Sequence, residues 1–248
     1  MSDNLAALLW KEARQLPRKR GAMLSATLFP LLFLLVVPVL NMVALRNSPD
    51  TMNTPVGVNL PPGMGALARN PEAMLSGFLL PFMVMISGLM LPIMLATYTV
   101  IAERERRTLE LLVALPVSVT DIILAKLGAV LAVSVGICLP LLLIDSVLLI
   151  VLGLGRLEDA LLLLWLLVAA LAYSTASALL LGLLAKDFRT ANNITGALVG
   201  PLILVAMGIM MTLPPVVAPL LVGALLWLLA IVAVVVSLRW LTFEKLLS

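Results

Sequence analysis

Between Thr190 and Leu238 the chain runs for 49 residues without a single Asp, Glu, Lys or Arg. A helix needs only about 20 apolar residues to cross a hydrocarbon core of roughly 30 Å, so this run holds two crossings. Pro214-Pro215 lies near its middle and does not continue a helix comfortably, which divides the run into spans near 192–212 and 216–239. Four more apolar runs precede it, near 21–45, 77–101, 124–152 and 160–185; the third holds Lys126 near its start and Asp145 toward its end. With 62% of residues hydrophobic and 12% charged, an ordinary polar surface is out of reach. The expected fold is an all-α polytopic membrane protein with six transmembrane helices, one transmembrane domain over 1–248 and no second folded unit.

Lys and Arg orient the spans, because they are retained on the cytoplasmic side of short loops. With both termini inside, thirteen of the sixteen fall on the inner side and only Arg46, Arg69 and Arg156 outside. The sequence pI of about 9.4 thus reflects topology and attraction to anionic lipid headgroups, with no nucleic-acid partner expected. The first 20 residues set Leu5, Leu8, Leu9 and Leu16 along one side and Lys11, Arg14, Gln15 and Arg18 along another. They predict an amphipathic helix on the membrane surface, broken at Pro17. A 25-residue apolar run behind that leader is too long for a cleaved signal core, so the first span is expected to stay. Residues 46–76 contain Pro49, Pro55, Pro61, Pro62 and Pro71, and are expected to form an irregular extracytoplasmic loop.

The chain has no His. That removes imidazole-ligated zinc or haem, Ser-His-Asp catalysis and a His proton relay, and leaves an intramembrane enzyme with little acid-base machinery. The only cysteine, Cys138, reads as a small buried hydrophobe. Met83, Met85, Met90 and Met94 on span two raise a thioether path for a soft metal such as copper, but they scatter over several faces and suit packing equally well. No metal site is expected.

One strongly charged island stands between spans two and three, ERERRTLELLVALP from Glu103 to Pro116. At 100° per residue Glu103, Arg106, Arg107 and Glu110 share an arc of roughly 100°, with opposite charges paired four apart, while Leu109, Leu111, Leu112, Val113 and Leu115 fill much of the rest. This is an amphipathic helix that Pro116 ends, and Glu105 projects among its leucines, where an unpaired carboxylate is costly to bury. The bland reading is a solvated loop helix; the functional one is a docking helix for another cytoplasmic protein.

The stretch Glu103–Ser118 resembles the cytoplasmic signature of ABC-2 permeases, the membrane subunits of ATP-driven exporters, roughly Glu-x-Glu-x-Gly-Thr-Leu-Glu-x-Leu-Leu-x-x-Pro-x-Ser. Glu103, Glu105, Thr108, Leu109, Glu110, Leu111, Leu112, Pro116 and Ser118 match, and Arg107 stands where the family usually has Gly. The resemblance implies that 103–118 is a coupling helix against an ATP-binding subunit, with Arg106 among its contact residues. It further implies two copies of that subunit carrying ATP and Mg, and a second permease copy, identical in a homodimer or different in a heterodimer. The chain holds no Gly-x-x-x-x-Gly-Lys-Ser/Thr loop, so no cofactor is expected here and hydrolysis is expected on the partner. The resemblance implies a bacterial or archaeal cytoplasmic membrane and a non-catalytic transport subunit.

Within the spans, Asp145 lies about 30 Å along from Lys126, near the outer boundary where water could reach it. It reads as an interfacial or helix-pairing residue, or as one lining a substrate path. An ion-coupled secondary transporter using Asp145 is the rival to an ATP-driven permease, with a copper exporter subunit as another. Asn192 and Asn193 stand near the entry of span five, bonding exposed backbone or touching substrate. Ala170, Ser174, Ala178 and Gly182 recur every four residues on span four, and Gly196 and Gly200 form Gly-x-x-x-Gly on span five, both expected as helix-packing faces. The apolar walls suit an amphiphilic or lipid-like substrate.

Overall fold

The computed structural model describes Trp10, Lys11, Arg14 and residues 20–47, 71–97, 119–185 and 187–240. Those residues are helical apart from short turns, with six helices long and apolar enough to cross a membrane. Span one consists of α1 (Arg20–Leu31), a π-helical turn over Leu32–Val36 and α2 (Val37–Asn47). Span two consists of α3 (Pro71–Met74), a π-helical turn over Leu75–Leu79 and α4 (Leu80–Ala96). Spans three to six are α5 (Val119–Val151), α6 (Leu157–Leu184), α7 (Phe188–Thr212) and α8 (Val217–Trp240).

Both π-helical turns end two residues before a proline. Val37 N–H donates to Leu32 O and Pro38 follows; Leu80 N–H donates to Leu75 O and Pro81 follows. A proline within a helix has no N–H to give and its ring crowds the carbonyl four residues back. One extra residue in the turn moves that carbonyl aside, so each span continues past its proline instead of breaking.

Local chemistry also sets the ends. Gly153 takes φ +72° after α5, and Leu154 N–H returns to Leu149 O at 3.1 Å, which closes the helix in a left-handed turn that suits glycine. Four residues later α6 has begun, with Arg156 N–H bonded to Asp159 Oδ2 at 2.8 Å. Pro214-Pro215 does divide the long uncharged run: Pro214 O accepts from both Val217 N–H and Ala218 N–H at 3.0 Å and starts α8. The loop expected over 46–76 is shorter at both ends, since α2 runs to Asn47 and α3 starts at Pro71, a residue pre-shaped for a first helical turn. Most of the leader lies outside the described residues; within it Arg14 stacks on exposed Trp10, 3.5 Å from the ring centroid.

Spans two and four form the centre. Of the most apolar stretch of each, 67% and 56% of residues are buried, against 22% for span five and 28% for span one. Spans one and three pack on one side of the central pair, and spans five and six on the other. Two cores result. Leu34, Met42, Leu80, Leu91, Leu142 and Leu163 belong to the first, built from spans one to four; Met85, Leu89, Leu166, Ala206, Val222 and Leu226 belong to the second, built from spans two, four, five and six.

Candidate functional site

The small residues of span four meet span two where the two helices cross. Ala170 and Ser174 are wholly buried, and a Cβ built on Gly88 of α4 would lie 2.7 Å from Ala170 Cβ. The absence of that atom lets the backbones close, and Ser174 Oγ donates to Leu89 O at 2.5 Å across the gap. Ala178 is buried one turn further along. Gly182 continues the four-residue step within α6. The partner residues Gly88 and Leu89 were not singled out from sequence, although a glycine four residues before Pro92 was a usable sign.

Gly196 and Gly200 lie differently. Both are exposed on α7, and a Cβ at either would have no neighbour within 4 Å among the described residues, so within this chain they do not form the packing face expected of them. Asn192, Asn193, Ala197, Pro201, Gly208 and Thr212 are exposed on the same helix. At the start of α7 the Asp187 carboxylate caps the first turn, with Thr190 N–H donating to Oδ1 at 2.7 Å. That backbone hydrogen bond holds the exposed Asp187 carboxyl below the usual carboxylate range.

Spans four and six are joined by Trp165 and Trp227, ring centroids 6.4 Å apart. Gly223, one turn before Trp227, leaves room for the Trp165 indole, which any Cβ there would strike. Nothing in the sequence marks this pairing, because the two tryptophans stand 62 residues apart in the chain. Of the span-two methionines, Met85 is wholly buried in the second core, while Met83, Met90 and Met94 are half-buried. No group of three or more His, Cys, Asp or Glu side chains suited to a metal occurs among the described residues.

Asp145 departs from expectation. It sits six residues before the end of α5, about 9 Å in at 1.5 Å per residue, yet its side chain is 0% exposed and water does not reach it. Among the described residues neither carboxylate oxygen has a hydrogen-bond partner. Buried Leu142 and Leu149 lie one turn to either side of it in the first core.

The candidate coupling residues Glu103, Glu105, Arg106, Thr108, Leu109, Glu110, Leu112 and Pro116 all lie outside the described residues. They fall inside the comparison that speaks to family. A family model described as ABC-2 family transporter protein matches residues 39–243, taking in five of the spans in full, most of span one's second half and the charged island. No curated protein and no solved structure matched the chain. Six apolar membrane-spanning helices and a match over that length lead to one identification: the chain belongs to the ABC-2 transporter family, as a multi-pass membrane permease of an ABC transporter that associates with an ATP-binding subunit.

Proposed function

We propose that this permease is the membrane half of an exporter in which two copies of the chain sit on two ATP-binding subunits, and that Glu103–Pro116 is the helix those subunits grip. The observation that carries the reading is the family match running through the charged island, in a chain whose sequence has no phosphate-binding loop of its own. ATP and Mg then belong to the partner subunits. In this reading both termini and the 103–118 segment face the cytoplasm of a bacterial or archaeal cell, as the Lys and Arg asymmetry favours.

The exposed face of span five supports a second copy. Exposed Asn192 and Asn193, and glycines that meet nothing among the described residues, make a poor surface for lipid but allow another helix backbone to approach closely. A path between two such faces, with span two behind it, would carry an amphiphilic or lipid-like substrate. Nucleotide-driven closure of the partner subunits would tilt the spans through the coupling helix and alternate the side to which the path opens.

The test is co-reconstitution with the ATP-binding subunit in vesicles. Glu105→Ala and Leu109→Asp should insert normally but reduce stimulation of ATP hydrolysis to the level of the ATP-binding subunit alone. Stimulation unchanged in both variants removes the docking role from this segment.

A further inference from the structure

Asp145 has no use in the transport reading above, and its surroundings narrow what it can be doing. An ionised carboxylate within a span costs about 2.5 to 3.5 kcal/mol on insertion scales, which is tolerated where a counter-charge, water or donors meet it. Here the side chain is wholly enclosed and both oxygens lack a donor among the described residues. Three sources of counter-charge can be weighed.

The cations among the described residues are the first. Span one carries Arg46 in its last turn, and α6 is preceded by Arg156; both are exposed and neither bonds an Asp145 oxygen. Lys126 lies 19 residues back on the same helix, about 28 Å away. The acidic groups on the packed elements, Glu72 in the first turn of span two and Glu158 and Asp159 in the first turn of α6, offer no positive charge, and Asp159 already accepts from Arg156 N–H. A second copy or a substrate between copies is the next source. The side chain has no surface on which anything outside its own chain could act. A bound metal cation is the last. Hard cations take six or more oxygen ligands, and no acidic cluster accompanies Asp145 among the described residues. A proton remains, since an enclosed carboxyl without a partner neutralises instead of ionising.

We propose that Asp145 is a proton-binding site inside the membrane, held as the neutral acid while spans one to four are packed as they are here, and able to exchange its proton with water only when that group parts near the α5–α6 turn. Any step that separates those spans then exposes a proton donor at one end of the bundle. The proposal does not rest on the transport reading, because its test needs neither an ATP-binding subunit nor a substrate.

The test is infrared spectroscopy of the purified permease in phosphatidylcholine nanodiscs at neutral pH. The expected spectrum has the C=O stretch of an un-ionised carboxylic acid above the amide I band. That stretch should vanish in Asp145→Asn, an isosteric neutral side chain that should melt with the wild type, and shift in Asp145→Glu. In D2O the band should move to lower frequency more slowly than the amides of exposed turns exchange. No such band in the wild type, or a band unaltered by both substitutions, overturns proton binding; a band that shifts as fast as the exposed amides overturns the enclosure. If Asp145→Asn fails to fold, the wild-type band and its displacement in Asp145→Glu still decide.

Discussion

At the residue scale, Gly88 and Ser174 show how two central helices meet in an apolar surround. Hydrophobicity does not draw helices together inside lipid, so close backbone approach and hydrogen bonds across the contact must. A side chain on Gly88 would start 2.7 Å from Ala170 Cβ, so Gly88→Val should destabilise the permease by about 1–3 kcal/mol in thermal unfolding in micelles. Ser174→Ala removes only the donor to Leu89 O and should lower stability by about 0.6 kcal/mol in the same measurement. The two changes separate steric fit from hydrogen bonding at one crossing. Asp187 gives a pH-dependent counterpart. Its carboxyl is held below the usual range by Thr190 N–H, so the folded state favours the ionised form. The cap is therefore present above the unfolded carboxylate range and lost as pH falls through the lower folded value. Amide exchange at Thr190, corrected for its intrinsic rate, should speed up across that acidic window, and Asp187→Ala should abolish the change.

At the element scale, the spans are legible wherever one local rule decides. The Pro-Pro turn before α8 and the length of each apolar run are such cases, because backbone sterics and bilayer thickness act without regard to what lies across the bundle. The π-helical turns are a different matter. Pro38 and Pro81 each follow a widened turn, whereas Pro30 and Pro92 of the same spans lie within ordinary α-helix. Deleting Ser76 should therefore destabilise span two by roughly 3 kcal/mol, since the turn narrows and the Pro81 ring meets a carbonyl. Combining the deletion with Pro81→Ala should recover most of the loss in thermal unfolding. Equal instability of the single and combined variants would show that the extra residue serves something other than the proline.

At the scale of the whole molecule, the face of span five is the surface most at odds with a lone protomer. Gly196→Leu with Gly200→Leu should leave the six-helix unit folded, since neither position touches another described residue, while reducing cross-linking between copies in the membrane. Unaltered cross-linking would place the contact between copies elsewhere. From sequence alone came the helical class, the number of crossings, the division of the last long run at Pro214-Pro215 and the resemblance to the family whose model matches the chain. Each of these depends on order along the chain and on the contrast between apolar segment and water. Which apolar face turns inward is another question, because lipid and protein interior are nearly alike to a leucine or a glycine. Only the packed helices could decide that Ala170 and Ser174 meet span two, that Gly196 and Gly200 face outward, and that Asp145, expected within reach of water, is wholly buried on α5.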